Sequence, residues 1–409
     1  MIAGVVIVGA GQAGVDVATG LRRQGYEGPV TVVGEEPGAP YQRPPLSKEF
    51  LLGTADENAL TLHTERFYAD NSIQLHTGTR VDFLDTTARV VRLADGHSLP
   101  YTDLVLATGA VARRLTVPGT DLNGVVTLRS LADAHHIRER LAHVHKVVVV
   151  GGGFVGLEFA AVLSGRAEVE VTVIGHAERL LRRSVSAPLS AHVADVHRSR
   201  GVKLVFGQEV AEILGQDEGH VTGVRDGEGR THEADLVVVG IGAEPRTDLA
   251  RAAGLKVDDG IVVDDRLRTS APNVYAVGDC ARCAGVRLES VQNATGHAAH
   301  VARAIAVGDP GPYRDLPWFW SNQKGLRLQM AGVTAPDDEL QVLGDASSGR
   351  FSVLAFRGGR LVAVESVNSP ADHVAARTLL GGARVVTPND TSKPGFRLRS
   401  LTAAAKAAV

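Results

Sequence analysis

Two short runs of β-branched residues, Val5-Val6-Ile7-Val8 and Val147-Val148-Val149-Val150, stand about 140 residues apart. Apolar runs this short, with no alternation, predict strands covered on both faces, as in a parallel sheet between helices. Each run leads into a glycine-rich turn and then a small-residue amphipathic stretch that predicts a helix, the first over 15–24. Further buried strands are predicted over 30–33, 101–109, 169–174, 234–242 and 273–279, with a helix over 131–141 and a Pro-rich loop over 37–45. The segment 234–242 mirrors 104–109, so this part of the chain reads as an internal duplication. Beyond Pro310-Gly311-Pro312 the pattern changes to alternation. It predicts strands over 326–333, 351–356 and 361–367 in a smaller α+β domain, and the Ala-rich tail 403–409 is expected to fray.

The two turns, Gly9-Ala10-Gly11-Gln12-Ala13-Gly14 and Gly151-Gly152-Gly153-Phe154-Val155-Gly156, carry the spacing of a dinucleotide fingerprint. The first glycine permits the turn out of the strand. The second lets a pyrophosphate approach the backbone at the positive helix N-terminus, and the third lets helix and strand pack closely. One such match is weak; two in strand–turn–helix context predict two bound dinucleotides. The fold class expected is α/β, with two Rossmann-like domains and a smaller α+β C-terminal domain. The boundaries expected are 1–112 with 241–316, 113–240, and 317–409.

Composition changes this picture little. At 409 residues the chain exceeds one core, and a net charge of −3 points to neither nucleic acid nor a membrane surface. No apolar run approaches membrane-spanning length, and the strand begins within four residues of the N-terminus, so a soluble cytoplasmic protein is expected.

The chemistry begins with carboxylates. A dinucleotide fold places an acid roughly 20 residues past the glycines to accept adenosine ribose hydroxyls, and Glu35 stands there for the first turn. The second turn lacks this acid: Gly175 occupies its place, with His176, Arg179, Arg182 and Arg183 nearby. That arrangement leaves the choice between NADH and NADPH open. The two cysteines, Cys280 and Cys283, have dithiol spacing and follow Gly278-Asp279, which leaves a redox role open. His297 is read as part of a helix face, and no histidine cluster has metal-ligand spacing, so no metal is expected.

Several ordered motifs go further: Tyr41-Gln42-Arg43-Pro44-Pro45-Leu46-Ser47-Lys48, Ala107-Thr108-Gly109, Gly278-Asp279, Glu289-Ser290-Val291-Gln292-Asn293-Ala294 and Pro317-Trp318-Phe319-Trp320-Ser321-Asn322-Gln323. Together they resemble the FAD-dependent ferredoxin reductases of bacterial oxygenase systems, within the glutathione-reductase-like superfamily. The resemblance implies that FAD is held by Gly9, Gly11, Ala13, Gly14, Glu35, Arg43, Pro45, Lys48, Val81, Ala107, Thr108, Gly109, Arg129, Asp279, Val291 and Trp320. It implies that NADH or NADPH is held by Gly151, Gly153, Phe154, Val155, Gly156, Glu158, His176, Arg183 and Gly242. Lys48 and Glu158 are expected to pair beside the nicotinamide, and Trp320 to lie close to the flavin; these three are the catalytic candidates.

The activity implied is hydride transfer from NADH or NADPH to FAD, then single electrons to a 2Fe–2S ferredoxin serving a cytochrome P-450 or Rieske oxygenase. A basic docking area is expected among Arg66, Lys324, Lys393, Arg397 and Arg399, on a monomer or weak homodimer. Two alternatives stand beside it: a redox-sensing interaction protein like apoptosis-inducing factor, and a stand-alone NAD(P)H oxidase or nitrite-reductase-like electron donor.

Overall fold

The computed structural model describes residues 3–216, 219–393 and 395–406. The chain divides into two compact units. The first comprises 1–43, 55–111 and 243–315; the second comprises 44–54, 112–242 and 316–409.

In the first unit the strand Gly4–Val8 lies between Val30–Val33 and Ser98–Leu106, parallel to both. Ile73–His76 extends one side, and Val274–Ala276 pairs with Ser98–Leu106 on the other. Every residue of Gly4–Val8 and Val30–Val33 is buried, as continuous apolar runs demand of a doubly covered sheet. The helices Gln12–Arg23 and Val291–Ala306 cover it, with Val15, Val17, Ala18, Leu21, Ala298, Val301 and Ala302 entering one core. The first helix starts at Gln12 rather than at 15, directly out of the glycine turn.

The second unit repeats this order. Lys146–Val150 lies between Glu170–Gly175 and Leu236–Val239, all parallel, flanked by Lys203–Phe206 and Val125–Thr127. The helix Phe154–Leu163 packs against it and is buried almost throughout. The same unit holds an antiparallel sheet in the order Trp318–Gln323, Leu326–Gly332, Arg360–Val367, Arg350–Arg357, Glu339–Asp345. The helix Pro370–Leu380 covers that sheet, sharing a core with Leu354, Phe356 and Val364. Two of its strands, Trp318–Gln323 and Glu339–Asp345, were not anticipated. At the chain's end residues 403–406 belong to the helix Leu398–Lys406, while 407–409 lie outside the described residues. No helix among the described residues is long and apolar enough to cross a membrane.

Candidate active site

Each glycine turn has two sterically obligatory positions and one open one. Gly9 has φ +118°, and a Cβ there would fall 2.1 Å from the Ala107 carbonyl oxygen. One on Gly14 would fall 1.9 Å from the Gly9 oxygen, yet one on Gly11 would meet nothing within 4 Å. The second turn behaves alike. Gly151 (φ +112°) and Gly156 would clash at 2.3 Å with Gly240 and at 2.9 Å with Gly151, whereas beside Gly153 the nearest atom is 3.8 Å away. Packing therefore does not explain the middle glycines. Neither following helix has an acid in its first turn or a side-chain cap, although Ser130, Ser186 and Ser290 cap other helices. Open space beside uncapped N–H groups is what an incoming phosphate requires.

Around the first turn, Glu35 pairs with Arg246. Arg246 is anchored by its own backbone: its N–H donates to Gly109 (2.9 Å) and its carbonyl accepts from the Thr108 hydroxyl (2.6 Å). The neighbouring Glu36 is committed to Arg43 and to the Tyr41 hydroxyl. Burial alone would raise the Glu36 carboxyl; the Arg43 guanidinium and that hydroxyl outweigh it and hold it below the usual carboxylate range. Asp279 sits in the short turn Gly278–Cys280, where Gly278 has φ +71°. Val291 opens the helix Val291–Ala306, and Val81 is buried in the strand Val81–Asp85. Ala13 is buried beside the Gly278 backbone.

His297 is not an ordinary helix face. It is buried, and its Nδ1 accepts the Gly278 N–H at 3.3 Å. Burial, with His300 adding to it, pushes its pKa down to about 4. The neutral imidazole thus holds the turn that carries Asp279. The cysteines are both free thiols. Cys280 donates to Leu106 and Val277 carbonyls and Cys283 to that of Asp264. Burial pushes both thiols up, away from the reactive thiolate.

In the second unit the Pro44–Ser47 turn and Lys48 fold with the helix Phe154–Leu163. Lys48 Nζ lies 2.7 Å from Glu158 Oε2, and the side chains are only 13% and 7% exposed. The Ser47 hydroxyl donates to the same oxygen at 2.6 Å, and the Ser321 hydroxyl donates to Glu158 Oε1 at 2.7 Å. Gln323 Nε2 donates to Ser321 Oγ (3.3 Å), and its Oε1 faces His197 Nε2 at 2.8 Å. A carbonyl oxygen only accepts, so Nε2 of His197 carries the proton. The result is a polarised chain, His197 to Gln323 to Ser321 to Glu158, ending on an ammonium. Ser47, Ser321, Gln323 and His197 escaped the sequence reading, although period-two alternation puts Phe319, Ser321 and Gln323 on one strand face and both tryptophans on the other.

Trp320 stacks obliquely on Trp318, centroids 5.5 Å apart, and Arg377 lies over Trp318 at 4.3 Å. Phe154 meets Phe319 at 4.6 Å, while Val155 is exposed. Gly242 has φ +110° and open space around it. Arg129 precedes the helix Leu131–Arg140, its N–H donating to Asp133. The basic side chains near Gly175 differ in their commitments. Arg179 donates to the Val185 and Arg182 carbonyls, His176 meets Glu209, and Arg183 is exposed.

Residues 3–298 match the model of the pyridine nucleotide-disulphide oxidoreductases, and residues 318–402 match the reductase C-terminal domain. The chain belongs to the pyridine nucleotide-disulphide oxidoreductase family. Family membership implies an oxidoreductase that uses flavin and pyridine nucleotide. The chain is 42% identical to rhodocoxin reductase of Rhodococcus erythropolis, covering 97% of this chain and 93% of that protein. Its fold matches the ferredoxin reductase for the CYP199A2 system from Rhodopseudomonas palustris with TM-score 0.94, at 40% identity over 98% of this chain and 100% of that one. It matches the covalent putidaredoxin reductase–putidaredoxin complex with TM-score 0.94, at 39% identity over 99% of each chain.

Proposed function

We propose that the chain is an FAD-dependent NAD(P)H:ferredoxin reductase feeding a cytochrome P-450 or Rieske oxygenase. The observation that carries this reading is the buried Lys48–Glu158 pair, 2.7 Å apart, in a family member with two open glycine turns. In this reading 1–112 and 241–316 bind FAD, 113–240 bind the nicotinamide coenzyme, and 317–409 supply Trp320. The fit is chemical as well as steric: Gly11 and Gly153 leave room for phosphates, and Glu35 is a carboxylate for ribose hydroxyls.

Bound FAD supplies the conversion between a two-electron nicotinamide donor and a one-electron iron–sulfur acceptor. The protein's own contribution is orientation and charge. Lys48 offers an ammonium, fixed by Glu158, where reduction builds negative charge. Ser47 and Ser321 hold both oxygens of Glu158, so that charge is preorganised rather than recruited. Asp279, on the His297-braced turn, would hold the ribityl side of the cofactor, and the reading asks no side chain to act as a nucleophile.

The acceptor is inferred from relatives: one solved relative is captured with putidaredoxin, and another serves a CYP199A2 system. The deciding experiment mixes the yellow holoprotein anaerobically with NADH or NADPH, then adds a 2Fe–2S ferredoxin with cytochrome c as sink. Fast bleaching and ferredoxin-dependent cytochrome reduction are expected. Bleaching that drives no ferredoxin but forms a long-lived charge-transfer complex would favour the sensing role instead. Rapid direct oxygen consumption would favour an oxidase.

A further inference from the structure

The strand Glu170–Gly175 ends where a nucleotide-binding sheet ordinarily carries its ribose acid, and that place is Gly175. Sterics do not require glycine here: a Cβ would meet only Ala177 O at 3.9 Å, with Gly152 N and Val205 O at 4.0 Å. The neighbouring strand Lys203–Phe206 runs parallel, with Phe206 opposite Gly175. Residues 207–209 therefore leave the sheet at the same carboxyl edge, where ligands of such sheets bind. They are fastened there: Gly207 N donates to Ala177 O and Gln208 N to Gly175 O, each at 3.1 Å. Glu209 Oε1 then stands 3.1 Å from His176 Nδ1.

We propose that Glu209 supplies, from this adjoining loop, the carboxylate that Gly175 lacks, and that it makes the chain select NADH over NADPH. The proposal rests on the reading of 151–156 as the coenzyme turn. A carboxylate at this edge accepts the adenosine 2′-hydroxyl and repels a 2′-phosphate. Two of the nearby basic side chains are already engaged, His176 by Glu209 and Arg179 by loop carbonyls. They are thereby withheld from a phosphate.

The test is equilibrium binding of NAD+ and NADP+ to the oxidised holoprotein by titration calorimetry, with the thermal midpoint and flavin spectrum as checks on folding. The unaltered protein is expected to bind NAD+ about tenfold more tightly than NADP+, the scale of one charge-assisted hydrogen bond. Glu209→Ala should erase that ratio, and Gly175→Glu in the Glu209→Ala background should restore it. A ratio unchanged in Glu209→Ala, or tighter binding of NADP+ by the unaltered protein, overturns the role of Glu209 alone. Failure of the unaltered protein to bind either nucleotide overturns the coenzyme-site reading itself.

Discussion

Ser321 holds the second oxygen of Glu158 at 2.7 Å, so the carboxylate facing Lys48 is fixed from a strand of the C-terminal sheet. Removing this hydroxyl leaves Glu158 Oε1 with one donor fewer in a buried site, at a cost of roughly 1.5–3 kcal/mol for a bond to a charged group. Ser321→Ala is expected to slow flavin reduction by NADH about tenfold with little change in KM, because the pair loses alignment rather than substrate contacts. Stopped-flow reduction reads this directly; an unchanged rate would show that Glu158 needs no support from the strand.

The Lys48–Glu158 pair also makes a prediction about stability. Breaking a buried pair leaves an uncompensated charge and typically costs about 3–5 kcal/mol, whereas removing both charges costs far less. Lys48→Met should therefore lower the thermal midpoint more than Lys48→Met combined with Glu158→Gln. In both variants flavin reduction should slow far more than FAD affinity falls. A double variant less stable than the single one would mean that Glu158 is sustained by Ser47 and Ser321 without its lysine.

Much of this was readable from the chain. Continuous β-branched runs marked both parallel sheets, and the Gly-x-Gly-x-x-Gly spacing marked both turns: the first glycine of each has φ above +100°, the third admits no Cβ, and the middle one stands in open space. The Lys48–Glu158 contact was expected from motifs, since nothing in the local pattern of residues 110 positions apart reports their proximity. Ser321 and Gln323 stayed hidden because their partners, Glu158 and His197, lie 163 and 126 positions away, and a polar residue on a strand face carries no local sign of what it meets. Strand Glu339–Asp345 escaped because it is a sheet edge, largely exposed, with little apolar alternation to betray it. Arg179 could be placed near Gly175 from the sequence, but only the folded loop shows its guanidinium turned onto carbonyls.

His297 predicts an acid limb in stability. Its folded pKa, about 4, lies below the ordinary value near 6.5, so the fold prefers the neutral ring. The contribution is therefore complete above about pH 6.5 and is lost as pH falls toward 4, amounting to roughly 3 kcal/mol over that window. His297→Gln should flatten this limb in urea titrations at pH 4.5, 5.5 and 7. An equally steep limb in the variant would move the effect elsewhere, first to His373, whose pKa burial likewise pushes down to about 4.

The thiols predict a negative result. With both pushed up by burial and each donating to separate carbonyls, Cys283→Ser should reduce at the unaltered rate, and the native protein should react slowly with thiol reagents at pH 7. A loss of more than about threefold in flavin reduction would reinstate a redox pair.

The glycine turns separate ligand binding from folding within a single motif. Gly14→Ala forces a methyl to 1.9 Å from the Gly9 carbonyl oxygen, so helix and strand must part. Overpacking of this kind costs about 1–3 kcal/mol or more, and the thermal midpoint of the apoprotein should fall. Gly11→Ala places its methyl in open space, on extended backbone (φ −81°, ψ −171°) that any residue adopts. Its apoprotein should melt at the unaltered temperature or slightly above, since alanine restricts the unfolded chain. Its FAD affinity, followed by quenching of flavin fluorescence on reconstitution, should nevertheless fall by an order of magnitude or more, because the methyl occupies space a pyrophosphate needs. If Gly11→Ala binds FAD as tightly as the parent chain, the phosphates do not approach this turn, and the assignment of the first unit to the flavin nucleotide fails.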